Sequence, residues 1–152
     1  MESQSDEPDG DHDLEWLDLE RVATVEVTSE QPDFPIESVF ATQDGPGWRA
    51  SQPGDQQIRL LFDRPTSLHR IQLRFHDASS RRTQEFVLRW TPAAGGQRSE
   101  ILRQQWNFSP EAPTEVEDYR VELGSVSVLE LEIRPDIAGG QSLGQLQSWR
   151  LA

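Results

Sequence analysis

Residues 56–76 read QQIRLLFDRPTSLHRIQLRFH. Ile58, Leu60 and Phe62 alternate with polar neighbours, the chain breaks at Asp63, Arg64 and Pro65, and the alternation resumes at His69, Ile71, Leu73 and Phe75. Arg70, Gln72, Arg74 and His76 take the opposite parity. Successive side chains of a strand leave opposite faces, so period two predicts strands with one dry face and one wet face. A dry face must be covered by a second layer. The same pattern recurs along the chain: Ala23, Val25 and Val27 in RVATVEVTSE; Phe86, Leu88 and Trp90 in QEFVLRW, against Glu85, Val87 and Arg89; Tyr119, Val121 and Leu123; then Leu129, Leu131 and Ile133. The connections QPDFP, DGPG, QPGD, TPAAGG, SPEAP and RPDIAGG carry Pro and Gly where chain reversals need them. ESVFATQ has room for one helical turn, and no long amphipathic helix is predicted. The expectation is an all-β sandwich of two antiparallel sheets packed face to face.

Composition narrows the function. At 152 residues one core is the default. The chain has no Cys, which removes disulfides, thiolate metal sites and cysteine nucleophiles. Residues 1–20 hold nine acids and no base, which leaves 27 − 9 = 18 acids against 14 bases in the rest. The formal net charge of -13 is thus mostly an N-terminal property, and the body stands at 14 − 18 = −4. We read residues 1–13 as a disordered acidic tail and 14–152 as the domain. Every base is Arg and none is Lys. A negative surface repels phosphate backbones, so no nucleic-acid partner is expected. It is equally unsuited to an anionic membrane, so no membrane partner is expected either. The acidic start lacks a basic, then apolar, secretory leader, and if Met1 is the native start the expectation is a cytoplasmic protein.

Taken in order, three segments resemble the discoidin (coagulation factor 5/8 type C) family. SVFATQDGPGWRAS is similar to that family's alanine, Asp-Gly, Trp loop; QQIRLLFDRPTSLHRIQLRF is similar to its strand, Pro turn, strand core; and VLELEIRPDIAGGQSLGQLQSWRLA is similar to its closing strands. The resemblance runs from about Leu19 to Ala152. It implies a galactose-binding-domain-like jelly roll with Trp48 packed under the first core strand as an apolar plug whose N–H needs an acceptor. Trp90 and Trp149 take inward parity near strand ends, and Trp16 is placed to pin the N-terminal segment to the sandwich.

Catalytic machinery is not expected. HExxH, Walker and GxGxxG patterns are missing, and the histidines, His12, His69 and His76, are scattered. The resemblance implies a non-catalytic binding module instead, with carbohydrate as the first ligand class and a protein partner in the cytoplasm as the alternative. In sugar-binding members a loop His, a nearby Arg and an Asn bond the hydroxyls while an aromatic ring stacks on the pyranose. Carried onto this chain, those are His76, Arg81 or Arg82, and Asn107, flanked by Trp106 and Phe108. Vicinal hydroxyls suit planar bidentate donors and an amide that both gives and accepts. The residues alone also allow His76 and Arg81 as plain loop positions and Trp106 as core, since it alternates with Phe108. No cofactor is required by the sequence. The resemblance implies one possible calcium ion at the Asp-Gly loop, held by loop carbonyls, Asp44 and a last-strand Glu; the Glu position falls near Gln145, a neutral amide that weakens such a cage.

Overall fold

Two strands of 21 residues each, β3 (Gln56–His76) and β6 (Thr114–Arg134), run antiparallel from the pair Gln56 and Ile133 to the pair His76 and Thr114. The computed structural model describes residues 15–41 and 45–152; the expected acidic tail, residues 1–13, lies outside them. The other strands are β1 (Ala23–Val27), β2 (Trp48–Pro53), β4 (Arg82–Pro92), β5 (Ser99–Phe108), β7 (Leu143–Leu146) and β8 (Ser148–Leu151), with single helical turns α1 (Leu19–Val22) and α2 (Ser38–Ala41). The order β1-β3-β6-β4-β5 is continuous, β8 adds to β3, and β2 pairs with β7 separately. β1 pairs with the first half of β3 and β8 with the second half, while β4 pairs with the second half of β6.

The Asp63–Pro65 break explains how one ribbon serves two layers. Proline has no N–H for a ladder, and the register between β3 and β6 slips repeatedly between Leu61 and Arg70. There the ladder is interrupted, and residues from both halves of the ribbon enter one core cluster. All pairings are antiparallel, and the result is the expected β-sandwich. Ile58, Leu60, Ile71, Leu73, Leu129, Leu131 and Ile133 are buried, as their parity predicts. Trp48 and Trp149 are buried as well, and the Trp48 Nε1–H donates to the Ser29 carbonyl at 2.9 Å. Gly144 passes so close to this ring that a Cβ there would sit 3.2 Å from Cη2. Trp16 docks as expected: the Arg70 and Arg150 guanidinium groups lie 4.9 and 5.3 Å from its ring, and Leu17 N–H donates to Leu151.

Two parity readings are corrected. His69, expected inward, is exposed, and Leu68 takes the buried place. Between Leu68 and Arg70 the partner on β6 moves from Leu123 to Arg120, an extra residue on that strand, and the N–H groups of His69 and Arg70 both donate to the Ala152 carbonyl. Two residues of β3 thus oppose the single Ala152, and the buried parity of β3 changes from Leu68 to Ile71. Val87, expected on a wet face, is buried, and so is Glu130 between Leu129 and Leu131. Arginines cover that face: Glu130 meets Arg89 at 3.1 Å, Arg98 at 3.0 Å and Arg59 at 3.8 Å.

Glu115 is an acid on the dry face of β6. It is 1% exposed; Gln84 Nε2 donates to its Oε1 at 3.2 Å, and no amide or hydroxyl of the described residues donates to its Oε2. Glu117 stands on the same face and accepts from the Tyr119 hydroxyl. Burial first, and the neighbouring Glu117 second, push the Glu115 carboxyl up to about 9. The folded chain therefore keeps a proton that the unfolded chain releases in the ordinary carboxylate range. Its contribution to stability is complete at acid pH and is lost as pH rises toward about 9. The urea midpoint is expected to fall between about pH 5 and about pH 9, with this group supplying at most ~1.4 kcal/mol per pH unit. Glu115→Gln keeps the shape without the proton and should flatten that fall; an unchanged slope would show that Glu115 is ionised in the fold.

Candidate functional site

At one end of the sandwich β3 gives way to the segment DASS, residues 77–80, before β4 begins. Asp77 organises this end. Its Oδ1 accepts from the Ser79 N–H at 2.9 Å and the Ser79 hydroxyl at 2.6 Å; its Oδ2 accepts from Ser80 at 3.0 Å and from Arg82 Nε at 2.9 Å. An Asp bonding its own backbone two residues on is a local turn device. Arg82 Nη1 in turn donates to the Pro135 carbonyl at 2.7 Å, and its guanidinium lies 4.6 Å from the Phe108 ring centre. One buried ion pair thus ties the turn after β3 to the segment after β6 and to the end of β5. Burial alone would raise the Asp77 carboxyl, but the Ser79, Arg82 and Ser80 donors together bring it down to about 2.

Arg82 borders two open grooves. The larger, about 470 Å³, has Arg81, Thr83, Asn107, Ser109 and Asp136 around it, with Phe108 at its base. The Thr83 hydroxyl donates to Asn107 Oδ1 at 2.6 Å and fixes that amide. Arg81 is exposed and pairs with Glu111 at 2.9 Å. The smaller groove, about 250 Å³, is lined by Gln31, Arg49, Ser80, Ser142, Leu143 and Gln145. Hydroxyls, amides and guanidinium groups dominate both.

Of the residues expected to bind ligand, Arg81, Arg82 and Asn107 meet in the larger groove. Arg82 is buried and both of its described bonds serve the fold, so its role is to hold the loops rather than to offer donors. His76 does not line either groove; it is exposed at the end of β3, with Nδ1 2.9 Å from the Thr114 hydroxyl. Trp106 is half-buried against the core, with its ring 6.5 Å from Phe108 and its Nε1–H donating to Ala112. Trp106 lines neither groove. Arg49, Gln31 and Ser142 were not foreseen, because they come from β2, the segment after β1 and the segment before β7. Asp77 could have been: an Asp two residues before a Ser at a strand end is a turn signature in sequence.

The expected calcium ligand Asp44 lies outside the described residues. On the described side of that loop, Gln147 Nε2 donates to the Gly45 carbonyl at 2.6 Å and the Ser38 hydroxyl donates to the Gly47 carbonyl at 2.8 Å. The side chain that reaches the loop is Gln147, between β7 and β8, while Gln145 lines the smaller groove. Gln145 and Gln147 are both neutral amides, which bring no negative charge to a cation.

No protein-family model and no curated protein sequence matches the chain. Solved structures do. The family 32 carbohydrate-binding module of AlyQ, in complex with 4,5-unsaturated mannuronic acid, superposes with a TM-score of 0.61 at 12% identity, covering 86% of this chain and 95% of that one. The C-terminal domain of a chitobiase from Bacteroides fragilis gives 0.65 at 12% identity, covering 91% and 97%. The family 32 module of C. perfringens NanJ, in complex with galactose, gives 0.59 at 10% identity, covering 90% and 96%. The shared fold is the galactose-binding-like sandwich that the sequence resemblance implied.

The two neighbouring arginines are expected to separate cleanly on mutation. Removing Arg82 strands the buried Asp77 carboxylate, and Arg82→Ala should cost roughly 3–5 kcal/mol. Arg81→Ala breaks a solvent-exposed pair and should cost less than about 1 kcal/mol. Chemical denaturation of both variants checks this; equal midpoints would contradict the structural role given to Arg82.

Proposed function

We propose that this chain is a non-catalytic carbohydrate-binding module that holds its ligand at the loop end of the sandwich. The observation that carries the reading is the pair of polar grooves bordering Arg82 on a fold shared with modules solved in complex with sugars. In the larger groove Arg81 and Ser109 supply donors for hydroxyls, and Asn107 Nδ2 remains available once Thr83 has taken Oδ1. Phe108 is the apolar member of the lining, buried beneath the Arg82 guanidinium. The site is formed before ligand arrives, because the Asp77–Arg82 pair fixes the loops around it, and a preformed site loses less entropy on binding. A protein-interaction role draws less support: the large hydrophobic side chains exposed among the described residues are Val116 and Ile137, on separate elements.

A glycan array followed by calorimetry tests the proposal. Saturable binding of at least one glycan is expected, weakened roughly tenfold or more in the Arg81→Ala, Asn107→Ala double variant with the melting temperature unchanged. A folded protein blank across the array would overturn the carbohydrate reading. Binding unaffected by the double variant would remove it from the larger groove.

A further inference from the structure

Three arginines line the two grooves, Arg49, Arg81 and Arg82. Arg81 pairs with Glu111 and Arg82 with Asp77. Arg49 alone among them makes no ion pair to a described carboxylate, yet it is held firmly. Its N–H donates to the Phe34 carbonyl, its carbonyl accepts from the Gln31 N–H at 2.9 Å, and it sits opposite Gln145 in the β2–β7 pair. Its guanidinium carbon stands over the Phe34 ring, 4.2 Å from the centroid, a cation–π contact that restricts the side chain where it lines the groove. Among the described residues the groove's only acid is Asp77, which Arg82 already neutralises. The groove therefore carries about one net positive charge in a chain of formal charge -13. An unpaired, preorientated cation among serines and glutamines is a site for an anionic group on an otherwise hydroxylated ligand.

Resting on the carbohydrate reading above, we propose that the smaller groove selects acidic sugars, with Arg49 gripping the carboxylate of a uronic acid and Ser142 and Gln145 facing its hydroxyls. A guanidinium presents two parallel N–H groups that match the two oxygens of a carboxylate, and the charge-assisted pair is stronger than a neutral hydrogen bond. The ester of the same sugar keeps every hydroxyl and loses the charge, so it isolates the effect of Arg49.

The test compares oligogalacturonate and oligomannuronate with their methyl esters and with neutral galactose oligomers, by calorimetry at low and at physiological salt. An acid form is expected to bind roughly tenfold or more tighter than its ester, with the advantage shrinking as salt rises. Arg49→Gln should abolish the acid-over-ester preference at an unchanged melting temperature, and Arg49→Lys should keep only part of it, since charge survives but the fork does not. Equal affinity for acid and ester would overturn this inference and leave the carbohydrate reading intact. An acid preference that survives Arg49→Gln would overturn the assignment to Arg49. A folded protein that binds neither acid, ester nor neutral sugar would end both.

Discussion

The buried pair between Asp77 and Arg82 is the constraint on which the rest of the loop end depends. A carboxylate and a guanidinium are both taken out of water there, and each is tolerated only because the other and a set of local donors surround it. The consequence is geometric. The turn after β3, the end of β5 and the segment after β6 cannot move independently, so the grooves bordering Arg82 have fixed walls. Loops positioned by a rigid sheet in this way are where binding residues belong.

The strand layout was legible in the sequence because it is a local, periodic property. Ile58 and Leu60, Phe86 and Leu88, and Leu129, Leu131 and Ile133 all fall where parity puts them. Reading failed where a non-local feature changed the phase. The bulge at Leu68–Arg70 depends on how β6 and the C-terminus meet β3, and no residue in LHR announces it, so His69 was assigned to the wrong face. The burial of Glu130 and Val87 was hidden for a related reason: cover by arginines from neighbouring strands is invisible along a single strand.

The site was half legible. Arg81, Arg82 and Asn107 do converge, because β4 and β5 pair antiparallel with Arg82 opposite Phe108 and Thr83 opposite Asn107. His76 and Trp106 do not join them, since strand alternation turns Trp106 to the core while Asn107 looks out. Gln31 and Arg49 lie more than ninety positions before Ser142 and Gln145 in the chain, and the four meet only in the folded protein. What distinguishes Arg49 from its peers is a missing carboxylate, and a missing partner cannot be read from a string of residues.

The same chemistry has two uses in this molecule. On the outer face of the sheet, arginines saturate Glu130 and its neighbours and seal a strand surface; at the loop end, arginines fix the walls and one remains unpaired. The central claim is that ligand binds at that end and not on a sheet face. Backbone amide NMR spectra recorded during titration with an oligouronate test it most directly. The expected shifts cluster at residues 31, 49, 79–81, 107–109 and 142–145, with the strand interiors of β1 and β8 unmoved. Shifts centred on the exposed face of β1 and β3, or a folded protein whose spectrum does not change at all, would contradict it.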